Sequence, residues 1–267
     1  DLCGHATLAS ASVLFDLLGS GAGGKKRRHV KKIFFHANKD KLKAKLAPGA
    51  STGVQIHPGD GQGGCGKKNS VRISMDFPWR SLREVVEEAD RTAILRMVQK
   101  AFKLSDETMH KNLLFVGIDS VGEDVLVEVT RDVLLSLKHG PSHINYDALE
   151  TWGGGYSRGV ILCSQASEKD IVIAPDGERM RIDFLSRFFG PKAGIPEDSV
   201  TGSAHCTLAP YFGAKVGKAN VVGMQVSERR GVVECALEDG ACEGEGRMKK
   251  VRIVGTAGLA VGGTLFV

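Results

Sequence analysis

The residues best suited to chemistry gather in two short stretches. D-S-V-T-G-S-A-H-C-T-L-A-P-Y-F runs from Asp198 to Phe212, and D-L-C-G-H-A-T-L-A-S-A-S-V-L-F runs from Asp1 to Phe15. Each has an acid, a small turn with a glycine, a histidine, and Thr-Leu-Ala leading into an apolar run. A helix starting at each glycine would present unpaired backbone N–H groups and the positive end of its dipole. Gly4 and Gly202 would let a small anion come close to those N–H groups. Two such starts pointing at each other across a cleft make a cage for a small carboxylate. His5 and Ser203 directly follow the glycines, where side chains reach a ligand. His5 is the candidate for handling a proton, because its ordinary pKa lies near neutrality. Asp198 is a candidate general acid or base if a closed cleft raises its pKa. It could equally be an N-cap that satisfies helix donors, and both readings stand. For Asp1 the N-cap reading is preferred. His205 and Cys206, in the first turn of the second helix, are expected to be packing or supporting groups.

Cys3 raises a sharper possibility. Two facing thiols would make a two-base racemase, but Thr201 occupies the matching place before Gly202. One of the two bases is therefore missing.

The elements that must hold these residues can be read from periodicity. Gly4 to Leu18 is apolar on nearly every face, which predicts a helix buried all round, ended by Gly19. Lys32 to His36, Val54 to His57 and Val71 to Phe77 read as strands. Ser81 to Phe102 reads as one amphipathic helix, with Ser81 and Glu84 at capping-box spacing. In the second half, strands are expected at Leu113–Gly117, Val125–Val129, Gly159–Ser164, Asp170–Ala174 and Met180–Phe189. Further strands follow at Val221–Ser227, Val232–Ala236 and Val251–Val254. Helices are expected at Arg131–Leu137, Tyr146–Thr151 and from the Asp198 motif to about Lys215. The boundary between halves is placed near Lys103 to Asn112, giving lobes at 1–106 and 107–267, with the last strand packing back on the first. Each half thus has one apolar helix among several strands, which points to an internal duplication.

Composition narrows the function classes. The chain has 267 residues, 42 % hydrophobic and 25 % charged, as in an ordinary soluble protein. No long uncharged apolar run is present, so no transmembrane helix and no membrane partner are expected. Six dispersed cysteines without C-x-x-C pairs point to free thiols in a reducing compartment and to a cytoplasmic location, with no metal site. The net charge is +5, much of it from Lys25 to Lys32 after a Gly-rich run. No aromatic residues interleave that basic run, so it reads as a surface loop and not as a nucleic-acid site. Gly59 to Lys68 contains G-x-G-x-x-G, but a strand follows it where a dinucleotide loop would open a helix. It reads as a hairpin loop.

At D-L-C-G-H-A-T-L-A, M-D-F-P (Met75 to Pro78), S-R-F-F-G-P (Ser186 to Pro191) and A-G-I-P-E-D-S-V-T-G-S-A-H-C-T-L-A-P-Y (Ala193 to Tyr211), the sequence resembles the phenazine-biosynthesis PhzF-like isomerases, over essentially the whole chain. The resemblance implies an α+β fold like diaminopimelate epimerase: two pseudo-symmetric lobes, each a curled, mostly antiparallel sheet around a central helix. It implies an active site between the lobes, no metal or organic cofactor, and a homodimer. The implied reaction is proton transfer within a small cyclic substrate that carries a carboxylate. By match, Gly4 and His5 belong to the first substrate-binding motif, and Asp198, Gly202 and Ser203 to the second. Asp198 and His5 remain the candidate catalytic residues on the reading of the residues themselves.

The family's principal acid/base is a Glu upstream of the Cys3-Gly4-His5 motif, and the sequence begins at Asp1. The expectation is that this chain lacks that Glu and the strands before it, and that its first lobe is less stable than its second. The alternative function is a non-catalytic protein that keeps the fold and binds small carboxylates. Asp76 and Arg187 are expected to be structural ion-pair or strand residues.

Overall fold

The computed structural model describes residues 4–19, 32–36, 41–46, 70–154, 156, 158–173, 177, 179–240 and 248–258. The chain forms two compact units, residues 1–77 with 252–267, and residues 78–251. The strand expected at Val54 to His57, the basic run of residues 25–31 and the Gly59 to Lys68 loop lie outside the described residues, as do Asp1 and Cys3.

In the first unit, α1 (Gly4–Gly19) is followed by β1 (Lys32–His36), β2 (Lys41–Leu46) and β3 (Ser70–Pro78). The three strands pair in sequence order, all antiparallel. β2 escaped the sequence reading because K-L-K-A-K-L carries a lysine at every second position. Those lysines are what the sheet uses. Lys43 stands directly opposite Asp76 in the ladder and meets it at 2.9 Å, and Arg252 Nε donates to Asp76 at 2.8 Å. Burial alone would raise the Asp76 carboxyl, but the Arg252 and Lys43 hydrogen bonds outweigh it and hold it low. Asp76 is thus a structural ion-pair residue, as expected. α1 departs from expectation. Between Thr7 and Leu14 only Thr7 and Ala11 are buried, one i, i+4 stripe, while Val13 is 46 % exposed.

The second unit opens with β4 (Leu82–Glu84), α2 (Glu88–Phe102), α3 (Asp106–Asn112), β5 (Leu113–Asp119) and β6 (Asp124–Val129). The single helix expected over Ser81 to Phe102 is therefore a strand and a shorter helix. Leu82 to Glu84 pair with Gly117 to Asp119, and the Val85 N–H donates to the Val116 carbonyl at 3.0 Å, which excludes a helical turn there. Ser81 caps nothing, and α2 begins after Glu87 without a side-chain cap. The segment placed between the halves is α3, capped by Ser105, whose Oγ accepts from the Thr108 N–H. α2 buries Ile94, Met97, Val98, Ala101 and Phe102 against Val116, Val127, Leu162, Leu185 and Phe189. α2 packs within the second unit, which begins at Pro78.

The unit continues with α4 (Arg131–Ser136), α5 (Tyr146–Glu150), β7 (Gly159–Gln165), β8 (Ile171–Ile173), β9 (Arg179–Arg181), β10 (Phe184–Gly190) and β11 (Ile195–Asp198). It ends with α6 (Gly202–Val216), β12 (Asn220–Gln225) and β13 (Gly231–Gly240), and the last strand, β14 (Met248–Gly258), carries the chain from the second unit into the first. The strand expected from Met180 to Phe189 is two strands. β9 pairs with β8 in a small hairpin, and β10 joins the main sheet.

In the main sheet of this unit the order is β13-β12-β10-β7-β6-β5-β4, with β11 also on β10. The β6–β7 and β10–β12 pairs are parallel and the others antiparallel. Every residue of β10 and all but the last of β7 are buried, because both faces of these strands are covered. Val160, Leu162, Leu185 and Phe189 face the α2 layer. Residues of the other parity face α6: Phe184 stacks on Phe212, and Glu128 accepts from the Tyr211 hydroxyl and Lys215. Strands β5, β6, β10, β12 and β13 all reach this one helix. Five strand spacings span roughly 24 Å, more than twice the helix diameter, so the sheet curls around α6. The fold is α+β, as the sequence implied.

Candidate functional site

α6 begins at Gly202, and Gly4 is the first described residue of α1, so both repeated stretches run into a helix. Gly4 and His5 open α1 in the first unit; the His5 side chain lies outside the described residues. Asp198, Gly202 and Ser203 come together at the start of α6 in the second unit.

A strained turn does not require glycine at 202. A Cβ built there meets nothing within 4 Å, and the backbone is not in the left-handed region. That open space beside Gly202, at the start of α6, leaves room for a ligand.

Asp198 ends β11, and Thr201 is the residue before the helix. Neither caps α6 through its side chain. Instead the Thr201 hydroxyl donates to Asp198 Oδ2 at 2.8 Å. Fully buried Gln225 ties the turn from beneath: its Oε1 accepts from the Thr201 N–H at 2.8 Å, and its Nε2 donates to the Asp198 carbonyl. Among the described residues, Asp198 Oδ1 accepts no hydrogen bond. The carboxylate is therefore held at one oxygen and available at the other, the state a proton-transferring group requires.

β11 is itself anchored. Arg187 on β10 is buried, and its Nε and Nη2 donate to the two oxygens of Glu197, both at 2.7 Å. Its remaining N–H groups go to the Leu137 and Lys138 carbonyls and to His139 Nδ1. Arg187 is a structural residue, as expected, and it fixes the strand that delivers Asp198.

His205 and Cys206 are both buried in the first turn of α6. His205 Nδ1 donates to the Thr201 carbonyl at 2.7 Å, and its Nε2, packed near Phe184 and Gly223, has no partner among the described residues. Burial holds the ring at about 4, so it is neutral at physiological pH. Burial pushes the Cys206 thiol up to about 12, too high to serve as the second base of a thiol pair. Pro210 lies within α6 and has no N–H for the carbonyl four residues back. That carbonyl belongs to Cys206, and it accepts from the Arg80 N–H at 2.9 Å.

Sequence reasoning missed the charged cluster beside Ser203. Arg158 Nη1 donates to Ser203 Oγ at 2.8 Å. The other edge of the guanidinium grips Asp124, with Nε to Oδ1 at 2.9 Å and Nη2 to Oδ2. Asp124 is wholly buried. Burial pushes its carboxyl up, and the Arg158 hydrogen bonds offset only part of that. Next to it, Arg80 Nη1 bridges Asp119 at 3.1 Å and Glu123 at 2.6 Å. The partners are 34 and 45 residues from Arg158, and no local pattern links them.

A family model described as phenazine biosynthesis-like protein, PhzC-PhzF, matches residues 1–263. An uncharacterized isomerase of Pseudomonas aeruginosa is 41 % identical over 93 residues, 35 % of this chain and 32 % of that protein. The phenazine biosynthesis-like domain-containing protein 2 of Mus musculus is 31 % identical over 269 residues, 99 % of this chain and 73 % of that protein. The crystal structure of a PhzF-family phenazine biosynthesis protein from Enterococcus faecalis superposes with a TM-score of 0.63 at 23 % identity, covering 97 % of this chain and 72 % of that one.

Proposed function

The chain belongs to the phenazine biosynthesis-like PhzC-PhzF family, and we propose that it is an isomerase that moves a proton within a small carboxylate-bearing substrate without a cofactor. The observation that carries this reading is the convergence at the start of α6. Asp198 keeps one carboxylate oxygen unbonded among the described residues, and Gly202 leaves the helix N–H groups open. Ser203 adds a hydroxyl at the same place. The helix start binds the substrate carboxylate through N–H groups and dipole, and Asp198 gives or takes the proton. The resemblance assigns Gly4 and His5 to a substrate-binding motif of the first unit, and the ordinary pKa of His5 makes it a second proton-handling candidate. The isomerase among the relatives supports the reaction class. A homodimer in the cytoplasm completes the reading, on the resemblance and the cysteine usage.

The test is solvent exchange. The full chain is incubated in deuterated buffer with a panel of small cyclic carboxylates, and deuterium at carbon is followed by NMR. Incorporation that disappears in Asp198→Asn supports the reading. Carboxylates that bind without any exchange would replace it with the non-catalytic carboxylate-binding protein.

A further inference from the structure

We infer that Arg158 is a positioning residue that turns the Ser203 hydroxyl toward the substrate carboxylate, with buried Asp124 as its anchor. This rests on the reading of the α6 start as a carboxylate site.

The argument concerns where each hydrogen goes. A guanidinium only donates, so the 2.8 Å contact uses Arg158 Nη1–H and a lone pair of Ser203 Oγ. The hydroxyl hydrogen of Ser203 must then point elsewhere. Inside a helix a serine hydroxyl can donate back to the carbonyl four residues earlier, but Ser203 is the second residue of α6, and the residue four back, Ser199, precedes the helix. The Ser199 carbonyl accepts from the Ser227 hydroxyl at 2.7 Å. Among the described residues no acceptor takes the Ser203 hydrogen. A half-buried hydroxyl whose oxygen is pinned by a cation is a polarised donor for an anion beside the open N–H groups above Gly202.

The anchor keeps the arginine from leaving for the ligand. Asp124 is wholly buried and takes the Nε–Nη2 edge of the guanidinium at both oxygens, and the ring of Phe188 lies 5.4 Å from the guanidinium carbon. Only the Nη1 edge is left for Ser203. The charge of Arg158 is largely neutralised by Asp124 and by Glu123 at 3.9 Å. Its effect is therefore to orient Ser203 rather than to attract anions at a distance.

A double-mutant cycle on the full chain tests this, with benzoate as the small cyclic carboxylate and benzamide as its uncharged control. Affinities are measured by calorimetry for wild type, Ser203→Ala, Arg158→Gln and the pair. Loss of one hydrogen bond to a charged ligand weakens binding by roughly tenfold, so Ser203→Ala should lose about that. Arg158→Gln should lose about fivefold with Ser203 present and less than twofold in the Ser203→Ala background. Arg158→Gln leaves Asp124 buried without its partner, so Asp124→Asn/Arg158→Gln, which removes both charges, is run beside it and should give the same pattern. An equal loss in both serine backgrounds would overturn the positioning role and leave the carboxylate reading standing. A wild-type protein that binds benzoate no better than benzamide would overturn both.

Discussion

The Thr201 hydroxyl donates to Asp198 Oδ2 across 2.8 Å, while no N–H group of α6 reaches that carboxylate. This separates the two readings of Asp198, because an N-cap accepts from the helix backbone. Asp198 is held by a side chain instead, on a turn fastened by Gln225. Thr201→Val keeps the shape of residue 201 and removes the donor. Deuterium incorporation should fall by about tenfold, the scale of one hydrogen bond to a charged group, and Thr201→Ser should restore it. A Val variant that exchanges at the wild-type rate would show that this hydrogen bond does not set the acid's position.

Gly202 gives a second prediction. Because a Cβ there touches nothing within 4 Å, Gly202→Ala should fold as well as wild type. It should even gain up to about 1 kcal/mol from helix propensity. The new methyl, however, fills the space over the helix N–H groups. Carboxylate affinity should drop by roughly tenfold or more while the melting temperature holds or rises. Unchanged affinity, measured by calorimetry, would move the anion away from this helix end.

The legible and illegible parts of this structure divide by range. The start of α6 could be read from Gly202, since a small residue before an apolar run is a local signal. β7 could be read from its own apolar run. Ser81 to Val86 misled because Leu82, Val85 and Val86 fit a 3.6-residue stripe as well as a strand. Pairing with β5 decided for the strand, and Val86 is left 80 % exposed. β2 was hidden by lysines whose partner, Asp76, is more than thirty residues away. The Asp124–Arg158–Ser203 chain has the same difficulty in stronger form. Each contact is made by the sheet closing around α6, and nothing in the sequence near Arg158 records it.

His205 supplies a prediction in pH. Its folded value of about 4 lies below the ordinary 6.5, because burial penalises the charged ring. Between those values the unfolded chain holds a proton that the folded chain does not. Stability therefore falls as pH drops from about 6.5 to about 4 and levels off below, as far as this residue is concerned. Wild type should lose about 3 kcal/mol more than His205→Asn across that window, read from urea titrations at several pH values. Raised Asp124 contributes with the opposite sign, which is why the variant comparison is needed. Asp170 acts lower down: hydrogen bonds from Arg131 hold it at about 2, so its contribution is lost as pH falls from 3.8 toward 2, and Asp170→Asn should remove only that part. Parallel stability curves for wild type and His205→Asn would show that the ring takes up its proton in the folded protein as readily as in the unfolded chain.

Arg187 and Glu197 test what holds the acid's strand in place. The guanidinium is almost wholly buried, and its N–H groups are all engaged, two of them on Glu197 at 2.7 Å. Removing one partner of a buried pair strands the other charge and costs about 3–5 kcal/mol. Arg187→Met should therefore destabilise the protein by that order and shift the urea midpoint down with an unchanged slope. Replacing both, as Arg187→Met/Glu197→Leu, removes the stranded charge and should recover part of the loss. Recovery stays incomplete because the Leu137 carbonyl, which accepts from Arg187 Nη1 at 3.0 Å, loses its donor as well. The double variant also separates stability from function. If the ion pair serves to aim β11, the recovered protein should still exchange deuterium more slowly than wild type, since Asp198 directly follows Glu197. Wild-type exchange in a recovered double variant would mean that the Gln225 and Thr201 contacts alone place the carboxylate. A double variant as unstable as the two single losses added together would show that the pair was never coupled.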